Sequence, residues 1–206
     1  MVVAPHPDDE VLGAAGIMRW CQDLGTTVTV VACTDGEASH AGSDVVTPTE
    51  LRRRRRLERD AALAVLGLDA AVRHLGLADG GLPGQVPRLV AALAATVGSD
   101  ATLLVPWEHD DHPDHRAVAE AGATVATLLG APLWRVPIWG KVRRDRPYPG
   151  HVATLALTPG YRAVKEAAAA AFGSQLVPLG PGPLDGPVVH PHELERMLDG
   201  TELLLW

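Results

Sequence analysis

Cysteine is nearly absent from this 206-residue chain, which carries only Cys21 and Cys33. Two thiols without Cys-x-x-Cys spacing exclude a disulfide framework. Cys33 closes an apolar strand pattern and Cys21 lies in a helical one, positions that suit buried free thiols. Aromatic residues are scarce as well, at 4% against 47% hydrophobic. Ala, Val and Leu must therefore build the core, which favours close helix-on-sheet packing over a β-sandwich. Basic residues do not predominate, and the net charge of −7 argues against a nucleic-acid partner. A neutral or cationic small molecule is the easier ligand for such a surface. No apolar run reaches the ~18 residues of a membrane span, and no basic segment precedes an apolar stretch as in a signal peptide. The expected compartment is the cytoplasm. Nor does any Gly-x-Gly-x-x-Gly follow the first strand; Leu12 to Gly16 is a distant echo, so a dinucleotide fold of the usual kind lacks its phosphate loop.

What is present is alternation. Val2–Ala4 reads as a strand, Val11–Leu24 as a helix stopped by Gly25, and the β-branched run Thr27–Cys33 as a buried strand. A polar loop over 35–47 is long enough to suggest function. A helix follows from Pro48 to Leu66, then a short strand Ala71–Leu75, a turn over 78–81, and a helix Val86–Val97. Thr102–Val105 is a strand, and Pro113–Leu129 a helix with proline at its start. Beyond Pro132 the pattern is less regular: strands at Leu133–Trp139 and Val152–Leu157 flank a charged loop over 141–151. A helix over 160–172 and a Gly/Pro-rich tract over 177–191 come after. The length suits one domain, 1–206. The expected fold is α/β, with a mostly parallel sheet, right-handed crossovers and helices on both faces. Ligands of such sheets bind beyond the carboxyl ends of the strands.

Both dense clusters of polar side chains fall at that edge. Pro5-His6-Pro7-Asp8-Asp9-Glu10 follows the first strand, and His109-Asp110-Asp111-His112-Pro113-Asp114-His115 follows the strand at 102–105. His6 and Asp9, three residues apart at a strand-to-helix turn, share one helical face. Imidazole and carboxylate together are zinc ligands, and zinc with an open position activates water. A metal-dependent hydrolase is the first expectation.

Pro-His-Pro-Asp-Asp-Glu with a later His-Pro-Asp-His resembles the LmbE/PIG-L family of zinc-dependent de-N-acetylases. The resemblance continues through Thr34-Asp35-Gly36-Glu37, Arg55, Glu58, Ala62, Leu66-Gly67, Lys165 and Ser174-Gln175. It implies a Rossmann-like fold and a metal held by His6, Asp9 and His115. The metal is expected to be Zn2+, and Fe2+ fits the same ligands. It implies Asp8 as the general base, and His112 as the histidine that polarises the substrate carbonyl, held by Asp114 in a protonated form. Glu10 is expected to brace the helix N-terminus. The family also has residues before its first strand, so an N-terminus trimmed close to the motif is expected here.

Arg52 to Arg56 form a run of five arginines, which consecutive 100° steps around a helix would spread rather than gather. Arg55, which fits the family's Arg-x-x-Glu, is expected to bind substrate oxygens. Glu37 and Asp79 would join it on the rim of a sugar-like ligand. His40 is an alternative ligand for a different metal arrangement, and Trp107, Trp134 and Trp139 could stack on a sugar. Some relatives carry Tyr near the point in the loop where Asp110 stands, two residues before His112. The substrate implied is a small N-acylated amino sugar or glycoconjugate, with room for a homo-oligomer. Two other readings stay open: an amidase acting on a non-sugar conjugate, and a non-catalytic metal- or sugar-binding module. Retention of Asp8 speaks for catalysis.

Overall fold

The computed structural model describes residues 1–143 and 147–206. The middle of the loop expected over 141–151 therefore lies outside the described residues. In chain order the elements are β1 (Val2–Ala4), α1 (Asp9–Asp23), β2 (Thr29–Ala32), α2 (Pro48–Val65) and β3 (Ala71–His74). A short 3-10 turn (Leu82–Gln85) leads into α3 (Val86–Thr96), β4 (Leu103–Pro106), α4 (Pro113–Leu129) and β5 (Leu133–Val136). The rest comprises α5 (Trp139–Arg143), β6 (Val152–Ala156), α6 (Pro159–Ala169), α7 (Gly173–Leu176), α8 (Pro191–Met197) and β7 (Thr201–Leu205).

Seven strands form one sheet in the order β3-β2-β1-β4-β5-β7-β6. The first five are parallel, and β7 runs antiparallel to both its neighbours. Strand parity builds the two faces. Val2, Ala4, Val30 and Leu104 pack with α1, α2 and α6, whereas Val3, Val31, Leu103 and Val105 pack with α3 and α4. Small residues let these layers approach closely: a Cβ on Gly122 of α4 would lie 2.6 Å from Val105 Cγ1.

The α/β fold with helices on both faces is as expected, and elements up to residue 129 begin and end within about two residues of their expected bounds. Three features differ. The strand expected to reach Trp139 stops at Val136, because Asp110 Oδ2 accepts the backbone N–H of Ile138 (2.9 Å) and Gly140 (3.3 Å) and the chain coils into α5. The helix expected to reach Phe172 breaks after Ala169, giving α7 a separate start at Gly173. Finally, α8 and β7 were not anticipated, and β7 fills the gap between β5 and β6.

α1 is kinked at Ala14 (φ −142°, ψ 18°). The kink frees the Leu12 carbonyl and the Gly16 and Ile17 amides. Lys165 Nζ of α6 donates to Leu12 O (2.8 Å), while Glu202 of β7 accepts from Gly16 N (2.9 Å) and Ile17 N (2.8 Å). Lys165 and Glu202 themselves pair at 2.8 Å, both buried. A side chain at Gly16 would run into Leu157 and Glu202.

Candidate active site

Chain order reverses between β1 and β4, so the loops leaving these strands flank the crevice where such sheets take ligands. From β1 the chain passes His6 and enters α1 through Asp8. Asp8 has φ 129°, the one positive value on a non-glycine among the described residues. A backbone in that region costs about 1–3 kcal/mol and persists where its surroundings fix it. Arg55 supplies much of that fixing: its Nη2 donates to Pro7 O (2.6 Å) and Asp8 Oδ2 (3.1 Å), and its Nη1 to Gly36 O (3.0 Å). Glu10 accepts the Asp8 N–H (3.3 Å) and pairs with Arg59 of α2 (2.9 Å), both fully buried. It thus braces this turn, as expected, but through an ion pair the sequence did not suggest.

The arginine run fans out around α2. Arg52 reaches Glu37 (3.0 Å), Arg54 reaches Glu58 (3.1 Å), and Arg56 makes two bonds to Asp35. Arg55 alone of the five turns inward, at 2% exposure. Sequence reasoning assigned it to substrate oxygens. It does line the cavity, but three of its N–H groups are committed to the protein itself.

Asp9 lies between two imidazoles. Its Oδ2 is 3.2 Å from His6 Nδ1 and its Oδ1 is 3.2 Å from His115 Nε2. A tetrahedral ion with bonds of roughly 2.0–2.2 Å spaces its ligand atoms about 3.4 Å apart, and each His–Asp gap matches that spacing, one through each Asp9 oxygen. His115 is wholly buried, and its Nε2 faces Asp9 Oδ1 without a well-aligned hydrogen bond. The donor set therefore fits a divalent cation. Histidines 6, 112 and 115 together bring one ligand atom each within 4.8 Å of one another. Without an ion, charge is arranged internally. Burial alone would lower both imidazoles, but facing carboxylates raise His115 to about 9 and His6 well above its ordinary value. Burial would raise Asp9, yet His115 and His6 hold it well below the usual carboxylate range. Burial pushes the Asp8 carboxyl up to about 7, despite Arg55 beside it.

The far nitrogens of the two imidazoles meet acids. His6 Nε2 faces Asp79 Oδ1 (3.1 Å) and Asp114 Oδ2 (3.3 Å), and His115 Nδ1 faces Asp110 Oδ1 (3.5 Å). The Asp114 carboxylate also receives the Gly80 and Leu82 N–H groups (2.9 and 3.1 Å). It does not hold a protonated His112, as the sequence reading expected. His112 Nδ1 instead accepts the backbone N–H of Asp114 (3.1 Å), and burial lowers its pKa to about 4. A ring that accepts at Nδ1 carries its proton on Nε2, so His112 is a neutral donor.

Of the remaining candidates, Asp79 borders the cavity, whereas Glu37 does not and binds Arg52 instead. His40 spends one nitrogen on Ser39 Oγ (3.0 Å) and the other on Gly186 O (3.1 Å), away from the metal-type cluster. The cavity has a volume of about 260 Å³. Its polar side presents His6, Asp8, Asp9 and His112, and its apolar side Leu12, Ile138, Val188 and Val189. Trp139 lines it; Trp107 and Trp134 do not.

Residues that the sequence left without a role now have one. Ser174 donates through N (2.8 Å) and Oγ (2.5 Å) to Glu58. Gln175 borders the cavity and its backbone oxygen accepts from Val188 and Val189 (3.0 Å each). The walls at 138–139 and 188–189 carried no polar signature that a sequence could display.

Comparison with known proteins places these features in a family. The model of the PIG-L family, GlcNAc-PI de-N-acetylase, matches residues 1–126. Diacetylchitobiose deacetylase of Thermococcus kodakarensis is 27% identical over 136 residues, 64% of this chain and 50% of that protein. A probable N-acetyl-alpha-D-glucosaminyl L-malate deacetylase 2 of Bacillus cereus is 32% identical over 127 residues, 59% of this chain and 57% of that one. The chain thus spans about half the length of these two relatives. Among solved structures, an A40926 pseudoaglycone deacetylase superposes with a TM-score of 0.74 at 23% identity, covering 99% of this chain and 95% of its own, a likeness of fold.

Proposed function

The chain belongs to the PIG-L family, and on that footing we propose that it is a metal-dependent hydrolase removing an N-acetyl group from an amino-sugar-containing small molecule. The observation that carries this reading is Asp9 set 3.2 Å from both His6 Nδ1 and His115 Nε2, with Asp8 and the 260 Å³ cavity beside it. His6, Asp9 and His115 would hold the metal, zinc by preference and Fe2+ by the same ligands. A bound divalent cation supplies a polarised amide carbonyl and a water of lowered pKa.

The chain's own residues supply the rest. Asp8, raised to about 7, exchanges a proton near neutrality, which suits a base that takes the water's proton at its carboxylate and returns it to the leaving amine. Arg55 orients that carboxylate. Neutral His112 offers an Nε2 proton to the amide oxygen as charge develops there. Leu12, Ile138, Val188 and Val189 keep water from the acyl side. The cavity has room for about one sugar ring, and Asp79 with Arg55 borders it as polar rim. Walls drawn from both ends of the chain support 1–206 acting as one catalytic unit.

Amine release from N-acetylglucosamine derivatives, measured on protein reconstituted with zinc and on chelator-treated protein, tests the proposal. Release should appear only with metal. A protein that takes up zinc stoichiometrically yet frees no amine from any N-acetylated sugar would overturn it.

A further inference from the structure

We infer that Asp110 couples the metal ligand His115 to the cavity wall carrying Trp139; the inference rests on the metal reading above. Asp110 is 1% exposed and uses its two oxygens in opposite directions. Oδ2 accepts the N–H groups of Ile138 (2.9 Å) and Gly140 (3.3 Å), on either side of Trp139. Oδ1 faces His115 Nδ1 at 3.5 Å, the limit of a hydrogen bond and poorly aligned for one, and neither of these buried atoms has another partner. Trp139 lines the cavity and lies under the Arg143 guanidinium, 4.2 Å from its ring, while Arg143 pairs with Glu193 of α8 (3.0 Å).

The chemistry of the imidazole closes the argument. An ion bound at His115 Nε2 takes that nitrogen's lone pair, so the ring proton must sit on Nδ1. Its one facing acceptor there is Asp110 Oδ1. Metal binding therefore leaves the Nδ1 proton as the ring's only one and fixes the imidazole toward Asp110 Oδ1, and the carboxylate that receives it is the group that holds the Trp139 wall in place. An asparagine cannot serve both sides. With its carbonyl oxygen toward Ile138 and Gly140, its amide N–H faces His115 Nδ1 and drives the ring proton onto Nε2, the position the ion needs. Turned the other way, its NH2 meets two backbone N–H groups. Asp110 is thus a positioning residue acting through His115 and through the wall.

Two measurements on the full chain test this. Zinc competition against a chromophoric chelator should show Asp110→Asn binding roughly 10–100-fold more weakly than the parent, the range typical of partners that orient a metal-bound histidine. In the parent, amide hydrogen exchange at Ile138 and Gly140 should slow when zinc is added. Parent-like zinc affinity in Asp110→Asn, or exchange at those two amides that ignores zinc, would overturn the coupling alone. A parent chain that binds no zinc would overturn both the coupling and the metal reading. If Asp110→Asn does not fold, the exchange measurement on the parent decides.

Discussion

The stretch up to residue 126 and the stretch beyond it contribute in different ways to one cavity. The first carries every ionisable group that the proposed chemistry needs: His6, Asp8, Asp9, His112 and His115. The second supplies none of these, but it contributes apolar walls at Ile138, Trp139, Val188 and Val189 and two buried props. One prop is Ser174 on Glu58; the other is the Lys165–Glu202 pair on the kinked α1. Chemistry here is local in sequence, whereas the support that positions it comes from far along the chain. Substitutions in the two regions should therefore fail in different ways.

The largest effect is expected in the first region. Asp9→Ala removes the carboxylate shared by His6 and His115, so stoichiometric zinc and turnover should be lost together, as elemental analysis and an amine-release assay would show. Retained zinc in this variant would remove Asp9 from the ligand set. Asp8→Asn should separate the two properties: zinc is kept, while kcat falls by roughly 10²–10⁴-fold, the usual worth of a positioned acid–base group. Turnover equal to the parent's would mean that another group moves the proton.

The second region should fail in stability first. Lys165→Met leaves Glu202 charged and unpaired in the interior, which costs about 3–5 kcal/mol where a buried pair is broken. Replacing both partners by apolar residues is often neutral, but not here. The pair also satisfies the Leu12 carbonyl and the Gly16 and Ile17 amides of the kink. Urea unfolding should place the double variant Lys165→Met/Glu202→Leu well below the parent. A double variant as stable as the parent would show that the kink needs no outside partners.

Acidity gives a smaller and graded effect. In the metal-free protein His115 is protonated up to about pH 9, so an ion must displace that proton, and affinity falls as pH drops below that value. The linkage runs the opposite way for the metal-free fold. A histidine raised from the unfolded value of about 6.5 contributes stability fully present below pH ~6.5, lost as pH rises through about 9. Chelator-treated protein should thus melt lower at pH 9 than at pH 6.5, and zinc should narrow the difference. The smallest effect is expected at the wall: Trp139→Ala should raise KM for a sugar substrate with little change in kcat, the signature of lost uniform binding.

Much of the first region was legible because its signals are short-range. The continuous apolar runs Val2–Ala4 and Thr27–Cys33 give strands, Gly25 and Gly67 mark helix ends, and the two His/Asp clusters declare themselves by composition. What stayed hidden depends on contacts between distant residues. Nothing local distinguishes Asp110 from its neighbour Asp111, yet one is buried against His115 and the other is exposed. The same holds for Asp114, whose carboxylate turns to the Gly80 and Leu82 amides and away from the adjacent His112. Strand β7 was missed because Thr201–Leu205 carries a buried Glu202 where a strand pattern would place an apolar residue, and the reason for that glutamate lies on α1.

The place of β7 in the sheet has a consequence for how the molecule is made. It follows β6 in the chain but lies between β5 and β6, so β6 cannot join the sheet until β7 has been synthesised and inserted. Glu202 travels with that strand. During translation the His6–Asp9 motif emerges well before β7, so the helix that bears it waits some 190 residues for the partner of its kink. A ribosome-bound chain lacking β7 would then display the whole motif without the means to set it, and maturation of the site becomes a late event of folding governed by one long-range closure.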